Sequence, residues 1–228
     1  MKRITLFAVI ASALAILGGT SAVFHLTQDA YKAYMLGRRH FDAGRYGEAL
    51  PLLTRAHALE PGNREAARYL LWTFDKLGRQ EDARSVLEKL VQQAPEDTAS
   101  VLWLADLSAA VRDFARAEAL YQKIITREPS PEIRRKLAEA LAWQKKYAGA
   151  LAELTLLRNE IPDNAASAEL FADVSAWSGN YGQAIDAYRE LLDRRDVDKR
   201  IYFKLAEALR FAGRNDEAVE MYRKYAAQ

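Results

Sequence analysis

An alanine returns along this chain at Ala49, Ala83, Ala117, Ala150, Ala184 and Ala218, in steps of 34, 34, 33, 34 and 34 residues. A fixed period of that length restricts the chain to architectures in which one small unit stacks on copies of itself. Other residues keep the same beat. Glycines stand five places ahead of four of the alanines, at Gly44, Gly78, Gly179 and Gly213, and prolines close the unit at Pro61, Pro95, Pro129 and Pro162, with Asp196 in the fifth such place. The unit reads as two helices joined by a turn. A first helix must stop and reverse at the glycine, where positive φ is free for glycine and costs any other residue about 1 kcal/mol. Arg112 and Lys145 hold that place in the third and fourth units, so those two turns are expected to be strained.

Further punctuation separates the units. Asn63, Asp97, Ser130, Asn164 and Asp198 are placed to cap the next first helix, and Pro131 suits a first helical turn. The alanines, expected just ahead of each second helix, require the two helices of a pair to approach closely. The larger apolar residues that meet there are Leu36, Leu70, Leu104, Leu137, Phe171 and Leu205 from the first helices, and Leu53, Leu87, Tyr121, Leu154, Tyr188 and Tyr222 from the second.

Period and residues together resemble the tetratricopeptide repeat family. The copy AYKAYMLGRRHFDAGRYGEALPLLTRAHALEPGN, residues 30–63, carries Leu36-Gly37, Gly44, Tyr46, Ala49, Ala56 and Pro61 in that family's order. Further copies run 64–97, 98–130, 131–164, 165–198 and 199–228. The resemblance implies an all-α, right-handed helical solenoid of six helix-turn-helix repeats over residues 30–228. The phrases LAEALAWQKKYAGAL and FADVSAWSGNYGQAI also resemble repeats of bacterial exopolysaccharide export scaffolds, a weaker likeness.

Ahead of the repeats lies a hydrophobic segment that has two readings. Lys2-Arg3, an apolar run to Leu17, then Gly18-Gly19 and the small Thr20-Ser21-Ala22 match a secretory signal peptide covering residues 1–22. The uncharged stretch 4–26 is equally long enough for an uncleaved transmembrane anchor, which needs roughly 20 residues. Residues 23–29 then read as a linker. Either way the positive end stays inside and the remainder crosses, so a periplasmic location is expected, soluble or tethered to the inner membrane.

Charge and cysteine narrow the function. Lys and Arg number 33 against 31 Asp and Glu, but Lys2 and Arg3 precede the hydrophobic segment and no acid lies before residue 23. Beyond residue 22 the chain is therefore balanced, 31 against 31, and it carries no basic block, so nucleic acid is not an expected partner. With no cysteine, disulfides, thiolate metal sites and a Cys nucleophile are excluded. His25, His40 and His57 stand in no ligand-like spacing, and no nucleophile motif or phosphate-cradling loop is present, so neither an enzyme nor a cofactor is expected. Glu81-Asp82 and Asp216-Glu217 open second helices, where acids suit the helix dipole.

The resemblance places a binding groove on the first helices, near the second, fifth, ninth, twelfth and thirteenth places of each unit. The ninth place reads Arg38, Trp72, Asp106, Glu139, Asp173 and Glu207; the fifth adds Arg68 and Arg135, and the thirteenth adds Trp143, Trp177 and Phe211 beside Ala142 and Ala176. Two readings follow. Carboxylates beside indole faces would suit a cationic or amphipathic peptide, or an amino-sugar polymer; alternatively the tryptophans pack between repeats and Asp106 or Glu139 pairs with Arg134 or Arg135. A chaperone-tail clamp is not expected, since no first helix contains Asn. The implied role is a non-catalytic scaffold for protein partners, or else a polysaccharide-export scaffold touching the polymer. Met221 and Tyr225, with no capping helix after them in the sequence, are expected to be open to end-to-end self-association.

Overall fold

The computed structural model describes residues 25–194 and 198–227. These form twelve helices, and no strand occurs among the described residues. The signal-peptide reading over 1–22, the anchor reading over 4–26 apart from its last two residues, and Asp196 lie outside the described residues. Among the described residues, no helix is long and apolar enough to cross a membrane. The stretch read as a linker is helical from residue 25, where α1 is described over 25–42. No Gly or Pro interrupts the chain there, and Ala30 is already packed in the core.

The chain divides into two compact units at Gln93–Ala94. The first contains α1, α2 (Tyr46–Leu59), α3 (Arg64–Lys76) and α4 (Gln80–Gln93). The second contains four helix pairs: α5 (Thr98–Ala110) with α6 (Phe114–Ile125), α7 (Pro131–Trp143) with α8 (Tyr147–Glu160), α9 (Ala165–Trp177) with α10 (Tyr181–Leu192), and α11 (Arg200–Phe211) with α12 (Asn215–Ala226). Within this unit each helix packs chiefly on its sequence neighbours, and α7 also meets α9. A core of this kind extends along the stack rather than gathering at one centre.

All six alanines of the ladder are buried, Ala49, Ala117, Ala150 and Ala184 completely. They lie inside the first turn of each second helix, not ahead of it. The facing apolar residues are buried as expected, with two exceptions. Tyr222 is half-buried, and Leu36 is 49% exposed because no helix pair precedes it among the described residues. In the same α1, a Cβ on Gly37 would stand 2.7 Å from Leu53 Cγ, so the close approach of α1 to α2 requires glycine there. Ala150→Leu is expected to overpack the α7–α8 contact and cost about 1–3 kcal/mol, read as a lower denaturant midpoint.

The turns follow the sequence reading. Gly44, Gly78, Gly179 and Gly213 have φ of 72°, 67°, 83° and 77°, and Arg112 and Lys145 adopt the same conformation at 65° and 61°. We expect Lys145→Gly to raise stability by about 1 kcal/mol in chemical denaturation, since the left-handed strain disappears and no ion pair is lost with it. A destabilised variant would show that the turn is held by something other than backbone preference.

Capping is more varied than the sequence suggests. Asn63 and Asn164 accept hydrogen bonds from the N–H groups of Ala66 and Ser167, each at 3.0 Å. Ser130 makes no side-chain cap, and Pro131 follows it at the start of α7. Asp97 likewise makes no cap to the backbone; its carboxylate accepts from Ser100 Oγ at 2.6 Å. Asp198 accepts from Arg200 N–H at 2.8 Å. A further cap, Asp113 to Arg116 N–H at 3.3 Å, was missed.

Candidate functional site

The acids at the ninth place of the second unit are engaged within the protein. Asp106 on α5 accepts from Tyr121 Oη of α6 at 2.7 Å and from Lys136 Nζ of α7 at 2.7 and 2.9 Å. Asp173 on α9 repeats the arrangement two repeats later, accepting from Tyr188 Oη at 2.6 Å and from Lys204 Nζ at 2.7 Å. Lys204 also donates to Glu169 at 2.6 Å. Glu207 accepts from Tyr222 Oη and from Arg210, and Glu139 accepts from Arg135. Arg134 pairs instead with Glu153 at 2.6 Å.

These clasps are electrostatically consistent. Burial raises the pKa of Tyr121 and Tyr188, and the adjacent Asp106 and Asp173 push further in the same direction, so both phenols stay protonated and donate. Burial opposes the charge on Lys204, but its hydrogen bonds to Asp173 and Glu169 outweigh burial and raise its pKa. Glu207 is held below the usual range by hydrogen bonds from Arg210 and Tyr222. Carboxylates so engaged have little capacity left to attract an incoming cation.

The aromatic residues behave differently. Trp143, Trp177 and Phe211 are the last residues of α7, α9 and α11, and they are 57%, 48% and 56% exposed. Phe114 and Tyr181, the first residues of α6 and α10, stack beneath the exposed ring that ends the following repeat's first helix. Phe114 lies 5.9 Å from Trp143 at 11°, and Tyr181 lies 5.5 Å from Phe211 at 12°. Trp143 and Trp177 are 6.1 Å apart at 39°. The tryptophans thus occupy the turn edge of the second unit, each beside a helix end.

Cations gather along this edge. The Arg112 guanidinium sits 5.9 Å from the Trp143 ring and 6.0 Å from Phe114, and Arg210 sits 4.1 Å from Phe211. Arg210 is committed to Glu207, and Lys146 to Glu118 at 2.6 Å. Arg112 and Lys145 are exposed, and neither forms an ion pair among the described residues. The sequence reading singled out neither these two as binding groups nor Phe114 and Tyr181. The available signal was an aromatic residue opening a second helix thirty or so places before one closing a first helix.

In the first unit, the candidates surround a different aromatic group. Trp72 packs at 5.2 Å against Tyr69 and at 6.1 Å against Phe41, with Arg68 5.1 Å from its ring. Arg38 is 5.7 Å from the Tyr69 ring and pairs with Asp42 at 3.6 Å, while Arg68 pairs with Glu65. His40 contacts Glu48 at 2.8 Å, and burial, then the charge of Lys89, depresses His57. Among the described residues, no cluster of three or more His, Asp or Glu is arranged to hold a metal ion.

Solved structures with this fold include MamA from Desulfovibrio magneticus RS-1, at a TM-score of 0.64 and 13% identity over 72% of this chain and 94% of that one. A tetratricopeptide repeat protein from Parabacteroides merdae aligns at 0.60 and 19% identity, covering 87% and 78% of the two chains. Pseudomonas aeruginosa pilF aligns at 0.60 and 14%, covering 86% and 90%. No curated protein matches the sequence. Tetratricopeptide repeat models match residues 40–107, 76–135 and 177–228, more than half of the chain. The alanine ladder, the positive-φ turns and the consecutive helix pairs agree with those matches, and the chain belongs to the tetratricopeptide repeat family.

Proposed function

We propose that this chain is a non-catalytic scaffold that captures a protein partner on the aromatic edge of its second unit. The exposure of Trp143 and Trp177, whose rings lie 6.1 Å apart, and of Phe211 at the corresponding helix end carries the reading, because large apolar surface left open to solvent marks a contact site. Aromatic anchors of this kind supply most of the energy at protein interfaces. The Lys2-Arg3 start and the uncharged run after it support delivery to, or tethering at, the outer side of a bacterial inner membrane. An amino-sugar polymer is a weaker occupant, because the acids that would greet it are already engaged by Tyr121, Lys136, Tyr188 and Lys204.

The test is photo-crosslinking in cells from benzoylphenylalanine placed at Trp177 or Phe211, ring replacing ring. A discrete protein adduct is expected, weakened at least tenfold when Trp143→Ala is added, in line with loss of an interface anchor worth about 2 kcal/mol. Adducts unaffected by Trp143→Ala, or matching those formed from the distant surface residue Lys123, would remove the edge from consideration.

A further inference from the structure

Given the aromatic edge as the docking surface, we infer that its occupant is an acidic protein segment bearing aromatic side chains, with Arg112 and Lys145 receiving its carboxylates. This deepens the preceding reading and reverses the charge that the sequence alone suggests. The acids expected to face a partner are closed into clasps: Asp106 with Tyr121 and Lys136, Asp173 with Tyr188 and Lys204. Two exposed cations stand near Trp143 in the chain or in space, while the neighbouring Asp113 accepts from Arg116 N–H as the cap of α6. Arg112 stands over its ring, Lys145 follows two residues later, and neither has an ion-pair partner among the described residues.

Backbone strain points the same way. Four of the six turns place glycine at positive φ without steric cost, whereas Arg112 and Lys145 adopt 65° and 61° with a side chain attached. A side chain held at a strained place, where the same fold elsewhere uses glycine, costs stability; Arg112 offsets part of that through the Phe114 and Trp143 rings, and Lys145 makes no ion pair among the described residues. Both strained side chains are cationic and exposed; Arg112 sits 5.9 Å from the ring of the most exposed tryptophan, and Lys145 lies two residues beyond that tryptophan in the chain. Charge complementarity then selects carboxylates, and the row Phe114, Trp143, Trp177 selects flat apolar groups that stack. Two free cations are too few for a nucleic-acid backbone, whose binding rests on neutralising several phosphates.

The experiment measures binding of labelled peptides to the full chain by fluorescence anisotropy. The probes are a peptide of mixed glutamate and tryptophan, the same peptide with glutamine for glutamate, the same with lysine, and polygalacturonate as an anionic polymer. The acidic peptide is expected to bind, to weaken with salt, and to lose about tenfold in affinity with glutamine in place of glutamate or with Arg112→Gln plus Lys145→Gln. Arg112→Gly plus Lys145→Gly is expected to bind as weakly while melting no lower than the parent, which separates partner recognition from fold support. Three results would overturn the inference: the lysine peptide binding as well as the acidic one, polygalacturonate binding in place of the peptides, or unchanged affinity in the double variants. If these appear while the Trp177 crosslink and its dependence on Trp143 persist, the edge survives as a docking surface and only its acidic occupant is lost.

Discussion

Leu154→Ala is expected to lower the unfolding free energy by about 2–5 kcal/mol, the range for removing a fully buried leucine whose cavity cannot collapse. Leu154 has no exposed surface, and it lies one helical turn beyond Ala150, which is also fully buried. The small residue allows α8 to approach α7, and the large one fills the space that this approach leaves, opposite Leu137. Neighbouring backbone has little freedom to close the gap, since both helices are held by repeats on either side. Guanidinium denaturation followed by helical circular dichroism reads the effect. A cost under 1 kcal/mol would mean that α7 and α8 do not meet through these side chains.

Asp173→Ala is expected to cost about 1–3 kcal/mol, the penalty of leaving a buried donor without its partner. Tyr188 Oη is the orphan, because Lys204 retains Glu169. The carboxylate is 17% exposed, so water cannot fully replace it. Tyr188→Phe alone should cost less, and the double variant should recover part of the loss; a coupling of at least 0.5 kcal/mol in that cycle is the expected signature. Additive effects would reduce the clasp to a coincidence of packing. The sign of the pH dependence follows from Lys204. Its pKa is raised in the folded chain, so its contribution is present at neutral pH and is lost as pH rises through the folded value. The parent should therefore lose more stability in alkali than Lys204→Met does.

The parts of the fold legible in the sequence are those set by local constraints. A glycine at positive φ, an alanine where two helices touch and an asparagine at a helix start each answer a demand made within a few residues, so Gly44, Ala117 and Asn164 announce their roles. The clasps were not legible, because Asp106 and Lys136 are thirty residues apart and only the stacking of α5 and α7 against α6 brings them together. The recurrence was nevertheless present: an acid, a tyrosine fifteen residues on, and a lysine thirty or thirty-one on, at 106, 121 and 136 and again at 173, 188 and 204. The tryptophans were legible as candidates with two readings, partner contact or packing between repeats, and they combine features of both: each is about half exposed, and Trp143 lies against Phe114 and Trp177 of the adjacent repeats. The place of Trp143 at the end of α7 sets it beside the turn residue Arg112 and two residues before Lys145, neither of which the sequence reading singled out as a binding group.

Each clasp joins three helices across a repeat boundary, and this bears on how the molecule can be dissected. A fragment ending after residue 130 keeps Asp106 and Tyr121 but discards Lys136, and one ending after residue 198 strands Asp173 without Lys204. A break at residue 164 severs neither triad, because the corresponding places there are Glu139, Leu154 and Leu170. The smallest pieces of the second unit that keep a triad whole are thus the tandems 98–164 and 165–228, which part only Arg158 from the exposed Glu190 among the ion pairs described between them, and a single 34-residue copy holds no complete triad.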